Sequence, residues 1–447
     1  MARRSNLRPG AVCGLLLAAL AALRCWPLGG ETVFSRLLLT VCFLALGALA
    51  LRLLSREGYG WDTLRAMLLP IGLALFLRAV FLSHATLDYQ NFLSHWVEHF
   101  RQGGFAALKD PVGNYNVPYL YMLTLLPALP FSDLYGIKLF SILFDVLLAW
   151  GGLRLVKCLT ADKRAPLLAF SVLLLLPTVI LNGACWGQCD SVWASLCVLA
   201  LASALENRPW RSLALLGLAF AFKLQAIFIL PLWLALWLGG RVKFKHLFAF
   251  PAAFGLSMVP ALLAGKPIKD ILGVYIGQTA DSVGWGTLNY NSPSFFSLIP
   301  YGTEFRPLTA KFAIVLAFLF MTAVLALLLW RRKSLTNAAY VLAGAALSLG
   351  VPFFLPYMHE RYFFLGGVLL AIFSCACPRH APAAVAAELA SLGGYYAYLI
   401  GRYFLFLTFF GVSWTQLTEG LLMTAAVSLT AGALARELGV SSGGTQP

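Results

Sequence analysis

Residues 33–53 read VFSRLLLTVCFLALGALALRL, an apolar run that is long enough to decide the fold class. About 20 predominantly apolar residues cross a lipid bilayer as an α-helix. Backbone inside the bilayer must satisfy its own hydrogen bonds, which a helix does within one segment. The sequence predicts further spans of this kind at residues 11–29, 65–83, 136–156, 165–182, 189–205, 246–264, 308–330, 337–355, 361–377, 388–411 and 415–435.

The composition also indicates a membrane protein. Hydrophobic residues make up 60% of the 447 positions, charged residues only 11%, and the mean hydropathy is +0.81. A soluble globular protein averages roughly 25% charged residues. We therefore expect an all-α, polytopic transmembrane helical bundle. It divides into N-terminal helices (1–64), a central module with the polar motifs (65–365) and C-terminal helices (366–447).

The formal net charge of +15 follows a topological pattern. Short connectors between the predicted spans are basic, whereas the long connectors 83–135 and 265–306 contain few Lys or Arg. Cytoplasmic loops of membrane proteins carry an excess of Lys and Arg. The pattern therefore places both long connectors, together with segments 183–190 and 356–361, on the non-cytoplasmic face. It also argues against a nucleic-acid partner.

The first apolar run follows Arg3 and Arg4 and resembles a signal peptide. We expect it to remain as an uncleaved first span. The nine cysteines lie in or beside apolar runs, where cysteine packs as a small hydrophobic residue. The sequence therefore predicts neither a disulfide framework nor a zinc site.

The connector after the third span is amphipathic and aromatic. Segment 118–131 is too short to cross a bilayer. We expect 88–108 and 118–131 to form two helices along the outer face, joined by the polar loop 109–117. Four aromatic residues are predicted to lie at the membrane interface: Phe92, Trp96, Phe100 and Phe105.

Segment 211–240 is basic at both ends, which predicts that both ends face the cytoplasm. About 30 residues cannot cross the bilayer twice. We therefore expect a re-entrant helical hairpin with its tip near residues 222–225. Lys223 would lie inside the membrane, at a cost of roughly 2.5–3.5 kcal/mol unless it is paired, so a functional partner is expected.

Asp88 is an isolated acid that directly follows the third span, in the sequence Thr86-Leu87-Asp88-Tyr89-Gln90. It could act as a catalytic base, or be a solvated loop acid. Asp190 follows Trp186, Gly187 and Gln188 at the start of another predicted span. Acids are favoured at helix N-termini, so Asp190 could be a helix cap. Alternatively, this cluster of an aromatic ring and polar groups could bind a ligand.

His359, Glu360 and Arg361 lie at another predicted outer edge. The guanidinium group of arginine suits phosphate, although Arg361 and Glu360 could simply form a surface ion pair worth under about 1 kcal/mol. The loop 285–293, which includes Asn291, is rich in amides and aromatic rings. It could recognise sugar hydroxyls or be an ordinary turn.

His95, Glu98 and His99 match the H-x-x-E-H pattern of some metalloproteases. A catalytic zinc needs a third protein ligand, and none stands out nearby. An amphipathic interfacial helix explains these residues more simply. No glycine-rich phosphate loop or dinucleotide motif is present, so an activated substrate is expected to arrive through the membrane.

Taken in order, these motifs resemble the GT-C polytopic glycosyltransferases. Within this group, the sequence most resembles a bacterial branch, whose members are similar to the GPI mannosyltransferase that adds the second mannose. The resemblance covers roughly residues 65–365. The residues that carry it are Asp88-Tyr89 with Phe92 and Trp96, Tyr115–Tyr121, Trp186–Ser191, Lys223–Gln225, Asn291 and Leu355–Phe363.

The resemblance implies that 65–365 is a GT-C-like catalytic module performing inverting transfer of mannose or a related hexose. The sugar would pass from a polyprenyl-phosphate donor to a glycan or glycolipid hydroxyl. Asp88 would be the general base, and the lipid phosphate would be held by Lys223, Gln225, His359 and Arg361. Further substrate contacts are expected from Tyr89, Asn116, Tyr119, Trp186, Gln188, Asp190, Asn291 and Glu360.

Donors of this kind are generally used without a metal, so neither a metal nor a cofactor is expected. The predicted location is a bacterial plasma membrane, with the site facing outward. Two alternatives remain. A transporter or flippase of lipid-linked sugars would share Lys223 and Arg361 but need no outward base, and a polysaccharide polymerase would share the topology.

Overall fold

The computed structural model describes residues 9–284, 286–299, 306–401, 408–409 and 411–439. Within these ranges the chain forms eighteen α-helices, short 3₁₀ and π-helical turns, and four strands of two residues each. Nine helical segments there are long and apolar enough to cross a membrane, or ten if one bent pair counts as a single span. The predicted all-α polytopic bundle is confirmed.

The first three predicted spans are confirmed as α1 (Pro9–Cys25), α2 (Val33–Arg56) and α3 (Trp61–Phe81), with a 3₁₀ turn at Trp26–Gly29. Helices α1 and α3 approach closely where two glycines meet. A Cβ atom at Gly14 would lie 2.2 Å from the carbonyl oxygen of Leu68, and one at Gly72 would lie 2.1 Å from that of Gly14. This crossing therefore requires glycine on both helices.

The connector that follows α3 is helical, as predicted. It comprises a π-helical turn (Tyr89–Leu93), α4 (Ser94–Gly103), a 3₁₀ turn (Gly104–Lys109), α5 (Val117–Leu125) and a second 3₁₀ turn (Leu126–Ala128). Phe92 and Phe105 are exposed, but the interfacial placement of Phe100 is wrong. Phe100 is 1% exposed because it shares the inner face of α4 with Val97, which packs onto α5.

The centre of the bundle is built from α6 (Asp133–Lys157), α7 (Ala165–Leu175), α8 (Pro177–Ile180) with a π-helical turn (Leu181–Trp186), and α9 (Asp190–Leu205). The span predicted at 165–182 is present as a bent pair of helices. The segment bends by 47° between Leu175 and Pro177 and continues to Trp186. Proline lacks an N–H and interrupts the helical hydrogen bonds, so the break falls there.

The predicted hairpin is present as α10 (Pro209–Phe222), a 3₁₀ turn (Leu224–Phe228) and α11 (Pro231–Leu238). The break lies at Lys223, which has an extended backbone (φ −152°, ψ 135°). Arg241, just after the hairpin, donates to Asn337, whose amide in turn donates to the carbonyl of Cys158 at the end of α6. Both ends of the hairpin therefore lie at the same end of the bundle.

The remainder of the described chain contains further helices and two small sheets. The α-helices are α12 (Ala249–Leu263), α13 (Ile268–Gly284), α14 (Arg306–Trp330), α15 (Asn337–Phe354), α16 (Phe364–Ala376), α17 (Ala381–Ile400) and α18 (Trp414–Glu437). Three 3₁₀ turns lie before or between them, at Phe244–Phe248, Phe295–Ser297 and Pro378–His380. Strand β1 (Asn289–Tyr290) pairs in parallel with β2 (Met358–His359), and β3 (Thr408–Phe409) pairs antiparallel with β4 (Val412–Ser413).

Three further predicted spans differ from the observed helices. Helices α9 and α16 have 16 and 13 residues, which is short for a membrane crossing. Helix α16 begins at Phe364 and leaves Arg361 in a connector. The span predicted at 388–411 is displaced toward the N-terminus, because α17 ends at Ile400, and residues 402–407 and 410 of that prediction lie outside the described ranges.

Basic residues gather at one end of the bundle, where contacts tie the helix ends together. The contacts are Lys157 with Glu57, Arg154 with Glu206, Arg241 with Asn337, Thr336 with Glu437, and Arg331 with the carbonyl of Gly439. The end of α3, the starts of α6 and α9, the hairpin tip and the α15–α16 connector lie at the opposite end. The chain therefore has a basic end and an opposite end that carries the predicted site residues.

Gly72→Ala is expected to destabilise the protein, because the new methyl group would collide with the backbone of α1. Overpacking of this kind costs about 1–3 kcal/mol. Gly255→Ala in α12 is a suitable control, since a Cβ there would meet no atom within 4 Å. Thermal unfolding in detergent would measure both variants, and equal melting temperatures would contradict the close crossing.

Candidate active site

Asp88 immediately precedes the π-helical turn Tyr89–Leu93 and is partly exposed. One of its carboxylate oxygens, Oδ2, accepts two hydrogen bonds. The indole N–H of Trp186 donates at 2.8 Å, and the amide of Gln188 donates at 2.6 Å. The carboxylate is therefore held in a fixed orientation by two residues of the Trp-Gly-Gln motif.

This motif forms a tight turn between the π-helical turn and α9. Gly187 adopts a left-handed conformation (φ 77°), which glycine reaches without steric cost. The hydroxyl of Ser141 donates to the carbonyl of Gln188 at 2.7 Å, and that of Thr86 donates to the carbonyl of Trp186 at 3.3 Å. The turn is thereby fixed to α6 and to the segment that carries Asp88.

Asp190 lies at the beginning of α9 and is completely buried, with 0% exposure. Its carboxylate accepts hydrogen bonds from Asn182 (2.8 Å), Trp193 (2.9 Å) and Lys223 (2.5 Å). The Nε atom of Arg361 lies 3.9 Å from Oδ2 of Asp190. Asp190 is the first residue of α9, but no side-chain hydrogen bond caps this helix. The carboxylate instead binds side chains, including two cations.

Lys223 has the intramembrane partner that its position required. Its side chain is 4% exposed, and its ammonium group bonds to Asp190 and lies 5.9 Å from the ring centroid of Tyr115. The Tyr115 hydroxyl donates to Oε1 of Gln188 at 3.2 Å. Tyr115 therefore links the hairpin tip to the residue that also holds Asp88.

The connector between α15 and α16 brings Arg361 to the same place. Its guanidinium carbon lies 5.2 Å from the ring centroid of Trp186, and its Nη1 donates to Glu360 at 3.2 Å. The Nε atom is buried and has no hydrogen-bond partner among the described residues. The surface-pair interpretation is wrong, because the side chains of Glu360 and Arg361 are 2% and 14% exposed.

Burial changes the ionisation of this connector, which lies outside the helices. Burial raises the pKa of Glu360 to about 7, with the charge of Arg361 acting in the opposite direction. Burial, together with the nearby Arg361 and Lys223 cations, holds the pKa of His359 well below its ordinary value. His359 is therefore neutral at pH 7, stacked on the ring of Tyr290 with 4.7 Å between centroids.

The other predicted substrate residues fall into two groups. Tyr119 packs on Tyr115 with 4.7 Å between ring centroids, and Asn291 (φ 51°) forms a β-bridge with His359, so both adjoin the cluster. The side chains of Tyr89 and Asn116 form their hydrogen bonds elsewhere among the described residues. The Tyr89 hydroxyl donates to Asp133 at 3.1 Å, and the Asn116 side chain caps α5.

Gln225 lies on the 3₁₀ turn just after Lys223. It is buried, and its Oε1 atom has no hydrogen-bond partner among the described residues. In the loop 285–293, Trp285 lies outside the described ranges.

Several contacts in this cluster were not predicted from the sequence. Asn182 donates to both Asp190 and the Tyr395 hydroxyl, and Tyr398 stacks on Trp186. Both tyrosines are in α17, and Tyr395 is 213 positions beyond Asn182 in the sequence. The sequence shows two tyrosines at helical spacing, but such a pair in an apolar helix can simply pack against other helices, so it does not predict this contact.

A second buried ion pair lies beneath the Trp-Gly-Gln turn. Arg78 in α3 donates to Asp145 in α6 at 3.0 Å, and their side chains are 1% and 0% exposed. Asp145 also accepts a hydrogen bond from Ser191 at 2.5 Å, and a Cβ at Gly183 would lie 3.1 Å from its Oδ2. Asp145 therefore packs against Gly183, which precedes the turn, and accepts a hydrogen bond from Ser191, which follows it.

The H-x-x-E-H residues make only local contacts among the described residues. His99 pairs with Asp110 at 3.0 Å, and the ring of His95 contacts the carbonyl of Asn91. Glu98 accepts hydrogen bonds from Arg101 and Gln102, on the exposed side of α4. These contacts agree with an amphipathic helix.

An acid, two buried cations and an indole that contacts both the acid and one of the cations therefore lie together at one end of a polytopic bundle. The model of glycosyltransferase family 87 matches residues 115–356, more than half of the chain. The chain belongs to this family. No curated protein matches the sequence significantly.

Family membership makes this chain an integral membrane glycosyltransferase, which uses a sugar donor and an acceptor within a lipid bilayer. The prediction that the protein is a membrane glycosyltransferase is confirmed, and the family match argues against the transporter alternative. The matched range contains Trp186, Asp190 and Lys223, whereas Asp88 precedes it and Arg361 follows it. The finer resemblance to the GPI mannosyltransferase stays a prediction.

Anion binding at this cluster is expected to weaken as the pH rises through about 7. Above that pH, Glu360 carries a negative charge that competes with the ligand for Arg361, and below it the neutral carboxyl group does not compete. If only the protonated form binds, Kd rises about tenfold between pH 6 and pH 8. A short prenyl phosphodiester suits the titration, because its own charge is constant over this range.

Glu360→Gln is the matched control for this pH dependence. The amide keeps the size of the side chain but cannot ionise, so binding should become independent of pH. A variant that kept the wild-type slope would show that another group causes it.

Proposed function

We propose that this protein transfers a hexose, mannose or a close relative, from a polyprenyl-phosphate donor to an acceptor hydroxyl with inversion at the anomeric carbon. Asp88 is the general base. The acceptor is a glycan or glycolipid at the non-cytoplasmic face of a bacterial plasma membrane. The observation that carries the proposal is that Asp88 and Arg361 contact the same indole ring, that of Trp186.

The geometry of Asp88 suits a base. A candidate base must come within hydrogen-bond reach of the proton that it removes. Trp186 and Gln188 both donate to Oδ2, so neither of these two donors occupies Oδ1, the oxygen that would take the proton from an acceptor hydroxyl. The carboxylate is partly exposed at the end of the bundle, and an acceptor can therefore approach it.

Lys223 and Arg361 suit the phosphate of the donor. As the acceptor oxygen attacks the anomeric carbon, the bond from that carbon to the phosphate oxygen breaks. The electron pair stays on the lipid phosphate, which gains one negative charge, while the acceptor proton moves to Asp88. Preorganised cations stabilise charge that develops on a leaving group. Asp190 pairs with both cations, and Nε of Arg361, 3.9 Å from its carboxylate, has no hydrogen-bond partner among the described residues.

Neutral groups around the cations complete the proposed donor site. His359, which is neutral at pH 7, carries one ring N–H, and Gln225 lies two residues after Lys223 with an amide oxygen that has no hydrogen-bond partner among the described residues. Asn291 and Tyr119 adjoin this group and would contact the sugar. These roles are assigned from position and chemistry.

An apolar cavity of about 630 Å³ supports a donor with a long hydrocarbon carrier. It lies between the hairpin and helices α12, α14 and α15, and its walls include Phe228, Trp233 and Met321. Phe228 also packs near Tyr362, with 6.5 Å between ring centroids. One end of the cavity therefore lies next to the connector that carries Arg361.

The distribution of charge supports an outward-facing site. The basic helix ends lie at the end of the bundle opposite Asp88, Lys223 and Arg361. Cytoplasmic loops carry the positive excess, so the proposed site would face away from the cytoplasm.

Asp88→Asn is expected to lower the transfer rate by about 10²–10⁴-fold, the usual contribution of a positioned base. The amide keeps both the shape of the side chain and an oxygen that can accept from Trp186. Formation of new glycosidic bonds from polyprenyl-phosphate hexoses would be measured in proteoliposomes. Asp110→Asn, an acid on the same face that pairs with His99, is the control. Wild-type rates in the Asp88 variant would remove it from the base role.

Lys223→Met is expected to lower the free energy of unfolding by about 3–5 kcal/mol, because Asp190 stays buried and loses its ion pair with Lys223. The double variant Lys223→Met, Asp190→Asn removes both charges and should regain most of that stability without regaining donor binding. Thermal unfolding and donor KM would be measured for both variants. Recovery of normal donor KM in the double variant would show that Lys223 is purely structural.

A further inference from the structure

Lys138 in α6 is a buried cation that forms no ion pair with an acid among the described residues. Its side chain is 0% exposed. Its ammonium group donates instead to three backbone carbonyls, those of Phe81 at 3.0 Å, Leu82 at 2.9 Å and His84 at 2.5 Å. An ammonium group has three N–H donors, so all of them are used inside the protein. The role of Lys138 therefore lies in the chain segment that it holds.

The three carbonyls belong to the end of the helix that leads to Asp88. Phe81 is the last residue of α3, and residues 82–86, which follow it, are not helical. Carbonyls at the C-terminus of a helix lack intrahelical partners and carry the negative end of the helix dipole, which favours a cation. Because α3 ends before this segment, its own hydrogen bonds do not fix the direction in which the chain continues. Lys138 fixes that direction at three consecutive points before Asp88.

The same face of α6 also holds the turn that orients Asp88. The side-chain stem of Lys138 passes this turn, since a Cβ at Gly187 would lie 3.7 Å from Cγ of Lys138 and 4.0 Å from its Cε. Ser141, three residues further along α6, donates to the carbonyl of Gln188 at 2.7 Å. Residues three apart lie on the same side of a helix. Gln188 in turn donates to Oδ2 of Asp88, so α6 sets the segment that carries Asp88 and the turn relative to each other.

We propose that Lys138 is a positioning residue for Asp88. It fixes the backbone before Asp88, while Trp186 and Gln188 fix the carboxylate itself. A general base must lie within hydrogen-bond reach of the proton that it removes, and a misplacement of about 1 Å can cost roughly a hundredfold in rate. The ammonium group spends its donors on the backbone, so it acts through the position of Asp88. This inference rests on the proposed base role of Asp88.

A double-mutant cycle tests whether Lys138 acts through Asp88. Lys138→Met keeps an unbranched side chain and removes the ammonium group. With a short-chain polyprenyl-phosphate mannose as donor and octyl mannoside as acceptor, kcat should fall about 10–100-fold, with donor KM unchanged. In the Asp88→Asn background, the same substitution should change kcat by about twofold or less, because substitutions that act through one group are not additive. An unchanged kcat, or an equal fall in both backgrounds, would overturn the inference.

Lys266→Met is the matched control. Lys266 is also buried and also donates to backbone carbonyls, those of Leu108 at 3.2 Å and Asp110 at 2.8 Å, beyond α4 in the same connector. Its loss should lower the melting temperature and leave kcat unchanged.

Lys138→Gln replaces Lys138→Met in the cycle if the methionine variant does not fold. The amide keeps two N–H donors, so a smaller fall in kcat is expected, which again disappears in the Asp88→Asn background. A fall of the same size in both backgrounds, or no fall at all, would count against the positioning role.

A spectroscopic readout separates this inference from the proposed function. In protein labelled with 5-fluorotryptophan, the fluorine signal that is missing from Trp186→Phe identifies Trp186. Because the Trp186 indole donates to Asp88, this signal should shift in Lys138→Met and stay in place in Lys266→Met. An unshifted signal in Lys138→Met would show that Lys138 does not position Asp88. A shifted signal in a protein that forms no glycosidic bond would support the link between Lys138 and Asp88 and contradict the proposed function.

Discussion

The buried carboxylate of Asp190 is the constraint on which the rest of this site depends. It lies at 0% exposure and contacts both Lys223 and Arg361, which come from a hairpin tip and from a connector between two helices. An unpaired cation at this depth would be costly in a membrane protein. The pairing therefore makes it possible for the hairpin to end inside the bundle, with an extended residue at its tip. The negative charge of Asp190 also lies close to both positive groups, each of which would be costly to bury without a partner.

The Trp-Gly-Gln turn connects this charged centre to the acid at position 88. Trp186 touches Asp88 through its N–H and Arg361 through its ring, while Gln188 touches Asp88 through its amide and Tyr115 through its carbonyl oxygen. Beneath the turn, the pair of Arg78 and Asp145 supports the flanking segments from α3 and α6. Displacement of this turn would therefore move the Asp88 carboxylate and the Arg361 guanidinium together.

The sequence was sufficient for the fold class, the hairpin break at Lys223 and most of the clustered residues. Each of these leaves a local signal: a long apolar run, a cation inside such a run, or a polar motif at its edge. The bend before Pro177, the burial of Phe100 and the contacts of Asp190 were not predictable in the same way, because packing between distant helices decides them. Tyr395 and Tyr398 show the limit most clearly, since only tertiary structure brings α17 beside Trp186.

The length of α9 determines how deep the charged centre lies. Its 16 residues extend roughly 24 Å, whereas the hydrocarbon layer of a typical bilayer is about 30 Å thick. Glu206 follows α9 at the basic end and pairs with Arg154 there, and Asp190 begins α9 at the other end. With Glu206 at the edge of the hydrocarbon layer, Asp190 is recessed by roughly 6 Å below the opposite lipid headgroups. A lipid-linked donor of the proposed kind would have to sink its headgroup below the plane of the neighbouring lipids to reach these cations, so the surrounding leaflet would contribute to the energetics of its entry.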